Sequence, residues 1–138
     1  MCIRDSCKLL WWLENQRAID RRIADALWVR VVDLPTALEQ RRYSAAGQVT
    51  FRFDDEICPW NTGTYCLTVD ESGAASIEAS TEPATAEITP LALGAIYMGG
   101  RCLRDLAIAG FASGSKESLA LLDAMFHWHP APWCQEVF

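Results

Sequence analysis

Residues 49–53, Val-Thr-Phe-Arg-Phe, alternate apolar and polar side chains with a period of two, the mark of a strand with one buried face. The same reading gives strands at 64–69 and 75–79, joined by the turn sequence Asp70-Glu71-Ser72-Gly73, and a shorter strand at 86–89. Strands linked by such short turns pair antiparallel. The β-branched and aromatic run at 26–32 predicts one more. Asp33 followed by Pro35 signals the start of a short helix over 36–42. From Pro90 the period becomes helical. One helix runs over 90–98 to Gly99-Gly100, a second over 102–109 to Gly110. A third covers 116–127, capped by Ser115, with Leu119, Leu122, Ala124, Met125 and Phe126 on its buried side. Strand, helix, meander, then helices predicts an α+β fold: a mostly antiparallel sheet of about five strands with helices packed on one face.

The ends of the chain behave differently. Residues 1–8 show no periodicity and no cap, and read as a non-native leader. Leu9, Leu10, Trp12, Leu13 and Ala18 fit a helical face, but the adjacent Trp11 and Trp12 are hard to bury so close to the start and call for a partner upstream. At the other end, Ala131-Pro132-Trp133-Cys134-Gln135-Glu136-Val137-Phe138 is aromatic and apolar where most chain ends are polar and frayed.

Composition narrows the class. With 51% hydrophobic residues among 138, the chain has the material for one packed domain rather than a disordered segment. A net charge of -6 repels phosphate backbones, so nucleic acid is not an expected partner. No apolar run is long enough to span a bilayer, and no membrane partner is expected. The six cysteines form no C-x-x-C pair, and a reduced cytoplasmic setting fits them; Cys66 and Cys102 lie in apolar patterns expected of small core residues.

Chemistry is sparse. There is no G-x-x-x-x-G-K-S/T or G-x-G-x-x-G loop, so a nucleotide or coenzyme site is not expected within these residues. His127, His129 and Cys134 lack the spacing and fourth ligand of a standard zinc site, and no metal is expected. His127 is better read as closing the last helix. Cys134 has no orienting group that would make it a nucleophile. Asp54-Asp55-Glu56 reads as a solvated turn, or else as part of a cation-attracting rim. Cys58-Pro59-Trp60-Asn61 reads as local packing, or as a docking turn. Burial of Val137 and Phe138 would carry an α-carboxylate toward a cavity. Desolvation raises its pKa from about 3.5 and makes it a better base. Plain hydrophobic anchoring is the competing reading.

Several segments in order resemble one family. They are Leu27-Trp28-Val29-Arg30-Val31-Val32-Asp33-Leu34-Pro35 with Ala37-Leu38-Glu39 and Arg42-Tyr43; Cys58-Pro59-Trp60-Asn61; Leu93-Gly94-Ala95-Ile96-Tyr97-Met98-Gly99-Gly100; Leu122-Asp123-Ala124-Met125-Phe126; and Pro132 through Phe138. Together they resemble the C-terminal, sterol-carrier-protein-like domain of Eis-like (enhanced intracellular survival) N-acetyltransferases. The resemblance implies that 9–22 are the tail of a preceding GNAT-type acetyltransferase region and 23–138 the C-terminal domain. It implies a homo-oligomeric parent that acetylates an amine with acetyl-CoA held outside this fragment, and a fragment inactive alone. It further implies that the terminal carboxylate of Phe138 is the general base and that a Tyr of the upstream region is the general acid. Some members carry an acid next to the terminal Phe. Here that place is Val137, and Glu136 is the nearest acid for contacting the substrate amine. A lipid- or sterol-binding carrier module and a purely structural assembly domain are the alternatives.

Overall fold

The computed structural model describes residues 12–15, 17 and 28–132. The leader, most of the expected first helix, and the tail from Trp133 to Phe138 lie outside the described residues. Of the paired tryptophans, Trp12 is described and is 75% exposed.

Among the described residues nine elements follow in order: α1 (Leu34–Gln40), β1 (Gly47–Phe53), β2 (Gly63–Val69), β3 (Ala75–Ala79), β4 (Ala86–Ile88), α2 (Pro90–Tyr97), α3 (Leu103–Ile108), β5 (Ala112–Gly114) and α4 (Lys116–Phe126), with a 3-10 turn at Pro59–Asn61. The expected caps are in place. Asp33 accepts from the amide of Thr36 and Ser115 from that of Ser118; Thr89, not foreseen as a cap, accepts from that of Ala92.

The five strands form one sheet in the order β3-β2-β1-β4-β5. β1, β2 and β3 make the expected antiparallel meander, with Phe51 opposite Tyr65 and Leu67 opposite Ile77. β4 crosses back to lie parallel to β1, and β5 closes the edge antiparallel to β4. The period of two sends Val49, Phe51, Phe53, Tyr65, Leu67, Val69 and Ile77 to one face. There they meet Leu34 and Leu38 of α1, Leu93 and Ile96 of α2, Leu103 of α3, and Leu122, Met125 and Phe126 of α4. Phe51, Phe53, Leu67, Leu93, Leu122 and Met125 are each at most 1% exposed, so this side is filled.

Three expectations change. Residues 28–32 form no strand; Val31 is buried between exposed Trp28 and Val32, but side chains rather than a ladder hold the segment. Alternating burial records an extended backbone against a core, and an extended backbone need not join a sheet. Cys66 is not a core residue: it sits on the outer face between inward-facing Tyr65 and Leu67, near Gln48, while among the described cysteines Cys58 is the buried one. Cys102, half-buried, stands at the N-terminus of α3 and donates to Asp123. Within α4, Leu119 is half-buried and Ala124 exposed, so the buried stripe is narrower than expected.

Candidate functional site

The sequence points to the last residues of the chain, and the described part of that region is its base, where the chain leaves α4. Three helix ends converge there. Arg41 closes α1, Tyr97 is the last residue of α2, and Met125 and Phe126 end α4. The last carbonyls of a helix have no partner within it and carry the negative end of its dipole. Neither α2 nor α4 has a basic residue in its own last turn. Arg41 supplies one cation to both. Its Nε donates to Tyr97 O at 2.8 Å, one terminal nitrogen to Phe126 O at 2.5 Å, and the other to Arg42 O at 2.9 Å and Met125 O at 3.5 Å.

The guanidinium also lies over two aromatic rings, 4.7 Å from the centroid of Tyr43 and 4.6 Å from that of Phe126. Those rings meet edge to face at 5.3 Å. Burial lowers the pKa of Arg41 and pushes the phenol of Tyr43 well above its ordinary value. The Tyr43 hydroxyl donates to Leu38 O at 2.9 Å and so ties α1 to the same cluster.

Beyond α4 the chain is held by its backbone. The amide of Trp128 donates to Gly99 O at 3.1 Å, and the amide of Ser44 to Met125 O at 3.1 Å. The Ser44 hydroxyl lies 2.6 Å from both Ala124 O and His127 O. Gly99 has φ +83, and a Cβ there would lie 2.6 Å from the Trp128 Cβ; a Cβ on Gly100 would lie 2.7 Å from the Pro132 Cδ. The pair of glycines read from the sequence as a helix stop is therefore also the track over which 128–132 pass. Arg41, Arg42, Tyr97, Met98 and Trp128 border an open depression of about 230 Å³ beside that track.

The remaining sequence-level candidates separate. Glu136, Phe138 and Cys134 lie outside the described residues. His127 closes α4, as expected, and is exposed, and so is His129. Among the described residues no three His, Cys, Asp or Glu side chains gather as a metal site, and no helix is long and apolar enough to cross a membrane. The acidic turn is divided. Asp54 is exposed and pairs with Arg52, whose hydrogen bonds lower its pKa. Asp55 is buried, accepts from the amides of Ile57 and Cys58, and pairs with Arg30. Asn61 is buried too, and the turn it belongs to docks on the incoming chain: its side chain accepts from Leu34 N at 2.9 Å and donates to Val32 O at 2.9 Å, joined by the Trp60 indole at 2.8 Å. Sequence reading missed Arg41 and Ser44, whose partners are up to 85 residues away and leave no local signal.

Residues 34–135 match the family described as sterol carrier protein domain. The chain belongs to this sterol carrier protein domain family. The domain is 38% identical over 115 residues to an uncharacterized N-acetyltransferase of Streptomyces coelicolor, covering 83% of this chain and 28% of that one. It is 35% identical over 123 residues to one of Streptomyces avermitilis, covering 88% and 30%. Its fold is similar to the crystal structure of Eis1 from Mycobacterium abscessus, with a TM-score of 0.82, 25% identity, and coverage of 97% of this chain and 34% of that one. A GCN5-related N-acetyltransferase from Kribbella flavida matches with a TM-score of 0.70 and 28% identity over 79% of this chain and 29% of its own. The Eis-like, GNAT-type resemblance of this sterol carrier protein domain thus holds in sequence and in fold. The chain spans less than a third of the length of these curated relatives.

Proposed function

We propose that this sterol carrier protein domain is the C-terminal domain of an acetyl-CoA-dependent amine N-acetyltransferase and supplies the carboxylate of Phe138 as general base to an active site upstream. In this reading 1–8 are a non-native leader, 9–22 close the preceding GNAT-type region, and 23–138 are the domain itself. The observation that carries it is the likeness to proteins named N-acetyltransferases over 83% of the chain. The convergence of three helix ends on the start of the tail supports it, since a base must leave from a fixed support.

An amine is protonated at neutral pH and cannot attack a thioester until it loses that proton. A carboxylate within about 3 Å takes that proton first; the freed lone pair then bonds to the acetyl carbonyl carbon, and the adduct loses a second N–H proton to solvent as the carbon–sulfur bond breaks. The departing thiolate is protonated by the upstream Tyr that the resemblance implies. Acetyl-CoA would be held by the upstream region, and Glu136 is the acid best placed in sequence to face the substrate ammonium.

The filled side of the sheet weighs against the carrier alternative. Phe53, Leu67, Leu93 and Met125 are packed there, each at most 1% exposed, where a carrier needs an open apolar tunnel between sheet and helices.

The test is to express the parent enzyme with one glycine appended after Phe138. A loss of acetyl transfer of about 100-fold or more is expected, in line with removal of a general base. Activity close to that of the unextended enzyme would remove the base from the mechanism.

A further inference from the structure

We propose that Arg41 is a positioning residue for the reaction, acting with Gly99 and Gly100 to set the direction in which the catalytic tail leaves the domain. This rests on the reading of Phe138 as the base.

Arg41 contacts the carbonyls that end α2 and α4 and lies over the adjoining rings of Tyr43 and Phe126. It therefore fixes the angle between the two helices at the point where the chain departs. Gly99 and Gly100 then hold 128–132 at distances that leave no room for a side chain. The last described point of that course is Pro132, six residues before Phe138. A displacement of about 1 Å at a reacting centre can cost about 100-fold. The direction of departure thus bears on whether the carboxylate meets the amine.

Lysine keeps the charge of Arg41 but has no plane to lay over the rings, and its donors sit on one nitrogen instead of the three that reach Tyr97 O, Met125 O and Phe126 O. The experiment compares four forms of the full-length enzyme: unaltered, Arg41→Lys, glycine-extended after Phe138, and both changes together. Arg41→Lys is expected to lower kcat/KM for the amine at least tenfold and to leave KM for acetyl-CoA within twofold. On the glycine-extended background, where the base is already lost, it should change activity less than twofold, because both changes act through one carboxylate. Gly100→Ala, which displaces Pro132 without entering the core, carries the same test if Arg41→Lys fails to fold.

An Arg41→Lys enzyme within twofold of the unaltered one, while the glycine extension is severely impaired, would overturn the positioning role and leave the base reading intact. An equal loss on both backgrounds would overturn it as well, by showing a general structural effect. A fully active glycine-extended enzyme would overturn the base reading, and the positioning role with it.

Discussion

The incoming segment at 28–33 and the outgoing segment at 127–132 are both irregular stretches tied to the same core, and opposite chemistries hold them. The incoming segment is fixed by a buried neutral amide, that of Asn61, with the Trp60 indole and the buried carboxylate of Asp55 beside it. The outgoing segment is fixed by a half-exposed cation, Arg41, set on the carbonyl ends of two helices, and by close backbone passage over two glycines. A buried amide that satisfies two backbone groups chiefly stabilises, because losing it strands those groups away from water. A cation at helix ends chiefly orients, since the same carbonyls can otherwise turn to solvent. The first region should therefore set how stable the domain is, and the second where its tail points.

The largest break in this comparison is expected from Asn61→Ala. It strands the amide of buried Leu34 and should cost about 3 kcal/mol in urea unfolding. Where the enzyme is still folded, its acetyl transfer should be little changed. Next comes pH. Tyr43 in the outgoing cluster has its pKa raised by burial. Below about pH 10 the phenol is protonated in both folded and unfolded chains. Above that pH only the unfolded chain releases the proton, so stability is full below pH 10 and falls by about 1.4 kcal/mol per pH unit above it. Tyr43→Phe should flatten that part of a stability-against-pH curve. Arg41→Lys should cost only about 1 kcal/mol in the same unfolding experiment while lowering activity at least tenfold, the reverse of Asn61→Ala. Trp60→Phe, which removes one hydrogen bond from an exposed indole, should cost about 0.5 kcal/mol and mark the weak edge of the incoming region.

Most of the sheet was legible in the sequence because period-two burial is a local signal. Phe51, Leu67 and Ile77 announce their face directly, and Asp33 and Ser115 cap their helices where expected. β5 escaped notice because Ala-Ser-Gly has no strand preference of its own and pairs only where β4 presents an edge. The parallel pairing of β4 with β1 was likewise invisible, being set by a crossover and not by a turn. The misread strand at 26–32 shows the converse: its described part, 28–32, alternates in burial against the core but pairs with none of the five described strands. For the candidate site, the tail stood out by its apolar character. Its support did not, since Arg41 looks like any polar residue after a helix until helices ending 56 and 85 residues later arrive beside it.

The most direct measurement replaces one functional group. Semisynthesis of the parent enzyme with Phe138 ending in a carboxamide instead of a carboxylate keeps the length, the ring and the support at Arg41, and removes only the base. If the carboxylate takes the amine proton, kcat/KM for acetyl transfer falls by about 100-fold or more, with acetyl-CoA binding unchanged. If the amide and acid forms acetylate the amine equally well, the tail is an anchor and the central claim is wrong.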